Sequence, residues 1–229
     1  MSRYILLLDT ETSIRGHCID FACIIYDTKQ KIIVNQCAVL INEFFFTEEL
    51  FHNQDGFFSK ENLANRKAAY KNMLTSGERM LTSIHGINKW LQTAAKTYEG
   101  NLSITAYNFI FDKNVCIKSG ILLPDVKSFC LWNLSCKLFA SRKGYIKFAL
   151  KHKLFTAKHT MQTSAEVMFR YISDNPNAAE KHEALDDVIS FELPILQAAL
   201  KQKQSFKCDS YAWRKYQLPL VVEQLGITL

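Results

Sequence analysis

Asp9 and Glu11 stand two residues apart at the end of the apolar run 5–8. Side chains alternate along a strand, so both carboxylates project from one face. Two acids that close repel each other when ionised. Either one keeps its proton through a raised pKa, or a divalent cation relieves the repulsion, and oxygen-rich clusters favour magnesium or manganese. An Asp-x-Glu alone is equally a polar loop after a buried strand, so the pair needs company. Asp112 closes the stretch Ala106-Tyr107-Asn108-Phe109-Ile110-Phe111-Asp112. It reads either as a helix N-cap or, if the two strands are neighbours, as a third acid approaching Asp9. His182-Glu183-Ala184-Leu185-Asp186-Asp187 opens the last long helical stretch. Acids in a first turn complement the helix dipole, which accounts for the carboxylates and leaves the histidine unexplained.

Taken together these residues resemble the DEDD superfamily of 3′–5′ exonucleases, in its DnaQ-like (DEDDh) branch, marked by a histidine in the third motif. Leu6-Leu7-Leu8-Asp9-Thr10-Glu11-Thr12 is similar to the first exonuclease motif, Asn108-Phe109-Ile110-Phe111-Asp112 falls in the second, and His182-x-Ala184-x-x-Asp187 matches the third, with Asp187 at the family's spacing. The resemblance covers roughly residues 1–200. It implies an α/β, RNase H-like (exonuclease) fold, a mixed central β-sheet flanked by α-helices. It also implies that Asp9, Glu11, Asp112 and Asp187 bind two Mg2+ or Mn2+ ions and that His182 is the general base. The implied reaction is hydrolysis of phosphodiester bonds from nucleic-acid 3′ ends, single-stranded DNA favoured, to nucleoside 5′-monophosphates. RNA trimming, and a non-catalytic nucleic-acid-binding or polymerase-associated module, are the alternatives. The stretch 128–171 is similar to exonuclease-like proteins of phages, which would place the chain in a host cytoplasm.

The chemistry agrees with that implication. Phosphodiester hydrolysis needs an activated water, neutralised phosphoryl charge and help for the leaving oxygen, and two ions about 3.5–4 Å apart serve all three. A histidine near its ordinary pKa of about 6.5 is neutral at pH 7 and accepts a proton. Where many relatives continue the first motif with Thr-Gly, this chain has Ser13-Ile14. Contacts to the terminal 3′ hydroxyl therefore rest on Thr10 and Thr12.

The chain has 28 Lys+Arg against 22 Asp+Glu, a formal charge of +6. The excess is local: residues 127–181 hold ten basic and three acidic side chains, residues 182–200 none and four. Lys143, Lys147 and Lys151 recur every four residues as a stripe beside the apolar Ile146, Ala149 and Leu150. Such a stripe is either a solvated helix face or a track for a phosphate backbone. Among the aromatics, Phe57, Phe58, Tyr107, Tyr145 and above all Phe109, beside Asn108 in the second motif, are candidates to stack on terminal bases. Seven cysteines without a C-x-x-C pair indicate neither a disulfide framework nor a structural zinc site. No apolar run is long enough for a signal-peptide core or a membrane span. The expected setting is cytoplasmic, with nucleic-acid 3′ ends as partner, no membrane, and any protein partner unidentified.

These residues must be positioned by a sheet. The run 5–8 reads as a strand buried on both faces, residues 19–26 and 31–40 as an antiparallel hairpin, and 102–107 as a strand pairing with the first through a crossover. Residues 43–77 read as an excursion with a helix over 60–74. The remaining helices are expected over 78–98, 113–119, 129–140, 145–153, 164–172 and 185–200, with Pro194 kinking or breaking the last. Residues 1–200 are expected to form one domain. Residues 201–229, with Tyr211, Trp213, Arg214 and Tyr216, form an extension expected to pack back on it.

Overall fold

The computed structural model describes residues 2–156 and 160–202; the expected C-terminal extension from residue 203 onward, and Lys158, lie outside the described residues. Strand β1 (Tyr4–Thr12) lies inside the sheet, antiparallel to β2 (Cys18–Asp27) and parallel to β5 (Leu102–Ala106). Ile5 and Leu7 face one side, Leu6 and Leu8 the other, and all four are fully buried. This two-sided burial is why the run is continuous rather than alternating. β2 continues into β3 (Ile32–Ile41) as the expected antiparallel hairpin. The full order is β4-β3-β2-β1-β5-β6, a mixed six-stranded sheet with helices on both faces.

The two outermost strands depart from the sequence expectation. Residues 78–98 are not one helix: β4 (Met80–Thr82) pairs in parallel with β3, and only Ile84–Thr97 is helical. Ser83, whose side chain accepts a hydrogen bond from the Gly86 amide, sets that boundary. Likewise β6 (Lys127–Cys130) pairs with β5, and the helix expected from 129 begins at 131. In both places a three- or four-residue strand precedes a helix, too short for periodicity to separate the two.

The helices are α1 (Asn42–Phe45), α2 (Leu63–Ser76), α3 (Ile84–Thr97), α4 (Phe109–Lys118), α5 (131–140, α over Leu131–Ser135 and π over Cys136–Ala140), α6 (Lys143–Lys151), α7 (Ala165–Ser173) and α8 (184–200). Helix α8 starts as Ala184–Asp187, widens into a π turn over Val188–Glu192 and resumes as Leu193–Leu200. Pro194 does not break it. It falls at the second position of the resumed segment, directly after the π turn.

One core layer joins Ile5, Leu7, Ile24 and Tyr26 to helices α5 to α8. The other joins Leu6, Leu8, Phe21 and Ile25 to α3 and α4. The 43–77 excursion builds a third cluster, with Leu50, Leu63, Tyr70 and Met73 packed on Ile19 and Leu40. None of the described helices is long and apolar enough to cross a membrane. The six described cysteines are free thiols.

Candidate active site

The pairing of β1 with β5 brings their C-terminal ends side by side. Asp9 and Glu11 follow Ile5 and Leu7 on the face covered by α8. Thr10 points the opposite way, and its hydroxyl donates to Asp112 Oδ1 at 2.8 Å. Asp112 is therefore not the N-cap of α4. It sits in the first turn, after Asn108, and is buried. The crevice outside the carboxyl ends of such strands is where open α/β sheets place their ligands.

The third motif arrives from across the sheet. His182 lies just before α8 in the left-handed backbone region, at φ 55°. Its ring packs on Phe57 and Phe58, with centroids 4.9 and 4.5 Å away. Ligand atoms of Glu11, His182 and Asp187 all lie within 4.8 Å of one another. The start of α8 is pinned by a group outside the motifs. Buried Asp20 of β2 accepts from the Ala184 amide at 3.0 Å and from Arg79 Nε at 3.0 Å.

A cleft of about 870 Å³ contains Asp9, Thr10, Glu11, Thr12, Asn108, Asp112, His182 and Asp187 in its wall. Two carboxylates that the sequence reading passed over share it, Glu180 and Glu192. Burial first, and then the neighbouring acids, push the Asp9 pKa up to about 7, Glu180 to about 8 and Asp187 to about 9. The same causes hold Glu11, Asp112 and Glu192 well above the ordinary carboxylate range. For His182, burial lowers the pKa, which favours the neutral imidazole. Asp187 Oδ1 and Glu192 Oε2 are buried with no hydrogen-bond partner among the described residues. Six acids in one cleft, two of them with a bare oxygen, form a donor set for hard divalent cations, which take oxygen ligands. Glu11 and Asp187, whose ligand atoms lie together with that of His182, fit such an ion, and Asp9 and Asp112 line the same cleft.

The expected substrate contacts divide. Thr10, Thr12 and Asn108 reach the cleft. Phe109 does not: it is buried in the apolar layer beneath the sheet, because the first turn of α4 points it inward. Phe111, two residues on and 49% exposed, lines the cleft instead. Of the other aromatics, Phe58 and Tyr107 line it, whereas Tyr145 is fully buried with its hydroxyl bonded to the Gln162 carbonyl at 2.6 Å. Lys143, Lys147 and Lys151 form the expected exposed stripe on α6, opposite buried Tyr145, Ile146 and Ala149, but do not line the cleft. Among the described residues the one Lys or Arg on its wall is Arg15. Its loop is held by Lys118, which donates to the Arg15 carbonyl, and by Ser13 Oγ, which accepts from the Arg15 amide.

No protein-family model matches the chain, and no curated protein matches it. Among solved structures the chain is similar to Exonuclease X in complex with 5′ overhanging duplex DNA, at 15% identity over 95% of this chain and 99% of that one, with a TM-score of 0.43. It is also similar to the nuclease domain of 3′hExo, a DEDDh family member bound to rAMP, at 12% identity over 91% and 97% of the two chains and a TM-score of 0.47. A full-length 3′-exonuclease is similar at 12% identity, over 90% of this chain and 62% of that one, with a TM-score of 0.43.

Proposed function

We propose that this protein is a divalent-metal-dependent 3′–5′ exonuclease of the DEDDh type, removing nucleoside 5′-monophosphates from nucleic-acid 3′ ends, with single-stranded DNA the favoured substrate. The observation that carries this reading is convergence. Five residues from three motifs spread over 179 positions, Asp9, Glu11, Asp112, His182 and Asp187, share one cleft whose acids cannot all ionise unaided.

Bound at Asp9, Glu11, Asp112 and Asp187, divalent ions would neutralise phosphoryl charge and acidify a water. The chain's own residues do the rest. His182, neutral through burial, takes the proton of the attacking water. Phe57 and Phe58 restrain its ring, and Asp20 fixes the turn that carries it. Thr12 and Asn108 stand where the terminal nucleotide enters, and Thr10 holds Asp112 in place. Phe111 offers an exposed ring for a base. Arg15 at the cleft grips a phosphate, and the exposed Lys143, Lys147 and Lys151 of α6 offer a second basic surface.

The test is stepwise shortening of 5′-labelled single-stranded DNA, duplex DNA and RNA by purified protein, with and without manganese. Manganese-dependent laddering that Asp9→Ala or Asp187→Ala abolishes is expected, strongest on single-stranded DNA. Unaltered cleavage by either variant overturns the assignment. Stronger trimming of RNA makes the protein an exoribonuclease, and binding without cleavage makes it a non-catalytic module.

A further inference from the structure

Helix α8 does something that its sequence does not announce. Asp187 and Glu192 are five residues apart, and at 3.6 residues per turn such positions lie about 140° apart around an α-helix. Between them the helix widens into the π turn Val188–Glu192, whose i to i+5 rings swing residue 192 back towards the side that carries residue 187. Glu192 consequently lines the same cleft as the motif acids. It is only 3% exposed, its Oε2 has no hydrogen-bond partner among the described residues, and the charges that bear on it most are those of Asp9 and Asp112.

A buried carboxylate with a bare oxygen is costly unless something satisfies it. A proline kink at Pro194 would account for an irregular helix but not for an acid at this position. Widened turns of this kind inside α-helices are frequent at functional sites. We infer that Glu192 is a fifth carboxylate of the divalent-cation site, brought there by the π turn in α8 and acting alongside Asp9, Glu11, Asp112 and Asp187. This rests on the metal-dependent reading above and extends it beyond the three motifs.

The probe is manganese(II) alone, titrated calorimetrically into the full chain. Glu192→Gln keeps the shape and removes the anionic ligand. It is expected to weaken the manganese Kd by about 10- to 100-fold, the range seen when groups supporting a metal are removed. If Glu192→Gln does not fold by circular dichroism, Glu192→Asp serves instead, since it keeps the charge but withdraws it by one methylene, and weakened manganese binding is again expected. An unchanged manganese Kd in the folded variant overturns the inference, whatever its melting temperature. Oligonucleotide cleavage by the wild type separates the two readings. Wild-type protein that binds manganese through Glu192 but cuts nothing defeats the exonuclease reading alone. Wild-type protein that cuts, with a variant that binds manganese equally well, defeats the role of Glu192 alone. Wild-type protein that binds no manganese defeats both.

Discussion

His182 holds a backbone angle that non-glycine residues seldom adopt, at φ 55°, with its ring against two phenylalanines. Strain of this kind costs on the order of 1–3 kcal/mol and persists where the surroundings over-determine it. The conformation aims the imidazole at Glu11 and Asp187. Burial lowers its pKa, so it stays neutral, and able to accept a proton, somewhat below the pH at which a free histidine would charge. His182→Ala is therefore expected to cut kcat by about 10²- to 10⁴-fold while manganese titration still shows binding. The acidic limb of the wild-type pH–rate profile should lie below the ordinary histidine pKa and vanish in the variant; a retained limb would assign it elsewhere. Arg15 makes a different prediction. Its removal should raise KM with little change in kcat, and lower the salt slope of binding by about one, as measured on oligonucleotides at several salt concentrations. The motif acids and His182 were legible because their types and spacing carry chemistry. Arg15, Phe111, Glu180 and Glu192 were not, because what recruits them is a loop, a helix phase and a π turn rather than a spacing.

At the scale of elements, the site depends on how α8 is fastened to the sheet. Asp20 is fully buried in β2 and joins two distant pieces: it receives the Ala184 amide at the start of α8 and the Arg79 guanidinium just before β4. Removing one partner of a buried ion pair strands the other charge and costs about 3–5 kcal/mol. Asp20→Ala should lose stability of that order in urea denaturation. Asp20→Asn, which still accepts from Ala184, should lose less, and a loss no greater for Ala than for Asn would remove the fastening role. The hairpin, β1 and α3 could be read from apolar patterning because they are long enough to show a period. β4 and β6 could not, because three or four residues fit a strand and a helix start equally well. Their identity is decided by the neighbours, β3 and β5, that supply hydrogen-bond partners. The last helix was legible as a helix. Its π turn was not, since Val188, Phe191, Leu193, Ile195 and Leu196 give an apolar surface compatible with either winding.

Over the whole molecule, the folded chain gathers acids that the unfolded chain would keep apart. A carboxyl whose pKa rises on folding retains a proton that the unfolded chain has released, so stability falls with rising pH between the two values. Asp9 moves from 3.8 to about 7, Glu180 from 4.5 to about 8 and Asp187 from 3.8 to about 9. The loss should therefore begin near pH 4 and run to at least pH 9, since Glu11, Asp112 and Glu192 also lie well above the ordinary range; His182, whose pKa burial lowers, opposes it as a single group in the histidine range. Asp27, held down to about 2 by Arg3, acts in the opposite sense, but only as the pH falls from about 4 towards 2, below this window. In chelator, the melting temperature should accordingly decline from about pH 5 to about pH 9. Divalent ions bind the deprotonated acids and stabilise the folded state in proportion to the logarithm of their concentration over Kd. The shift produced by manganese should therefore grow over the interval in which the metal-free protein weakens. Parallel melting curves with chelator and with manganese test this directly. A metal-free melting temperature that rises with pH, or a manganese shift that shrinks, would mean that the acids of the cleft are neutralised from within the protein and are not waiting for a cation.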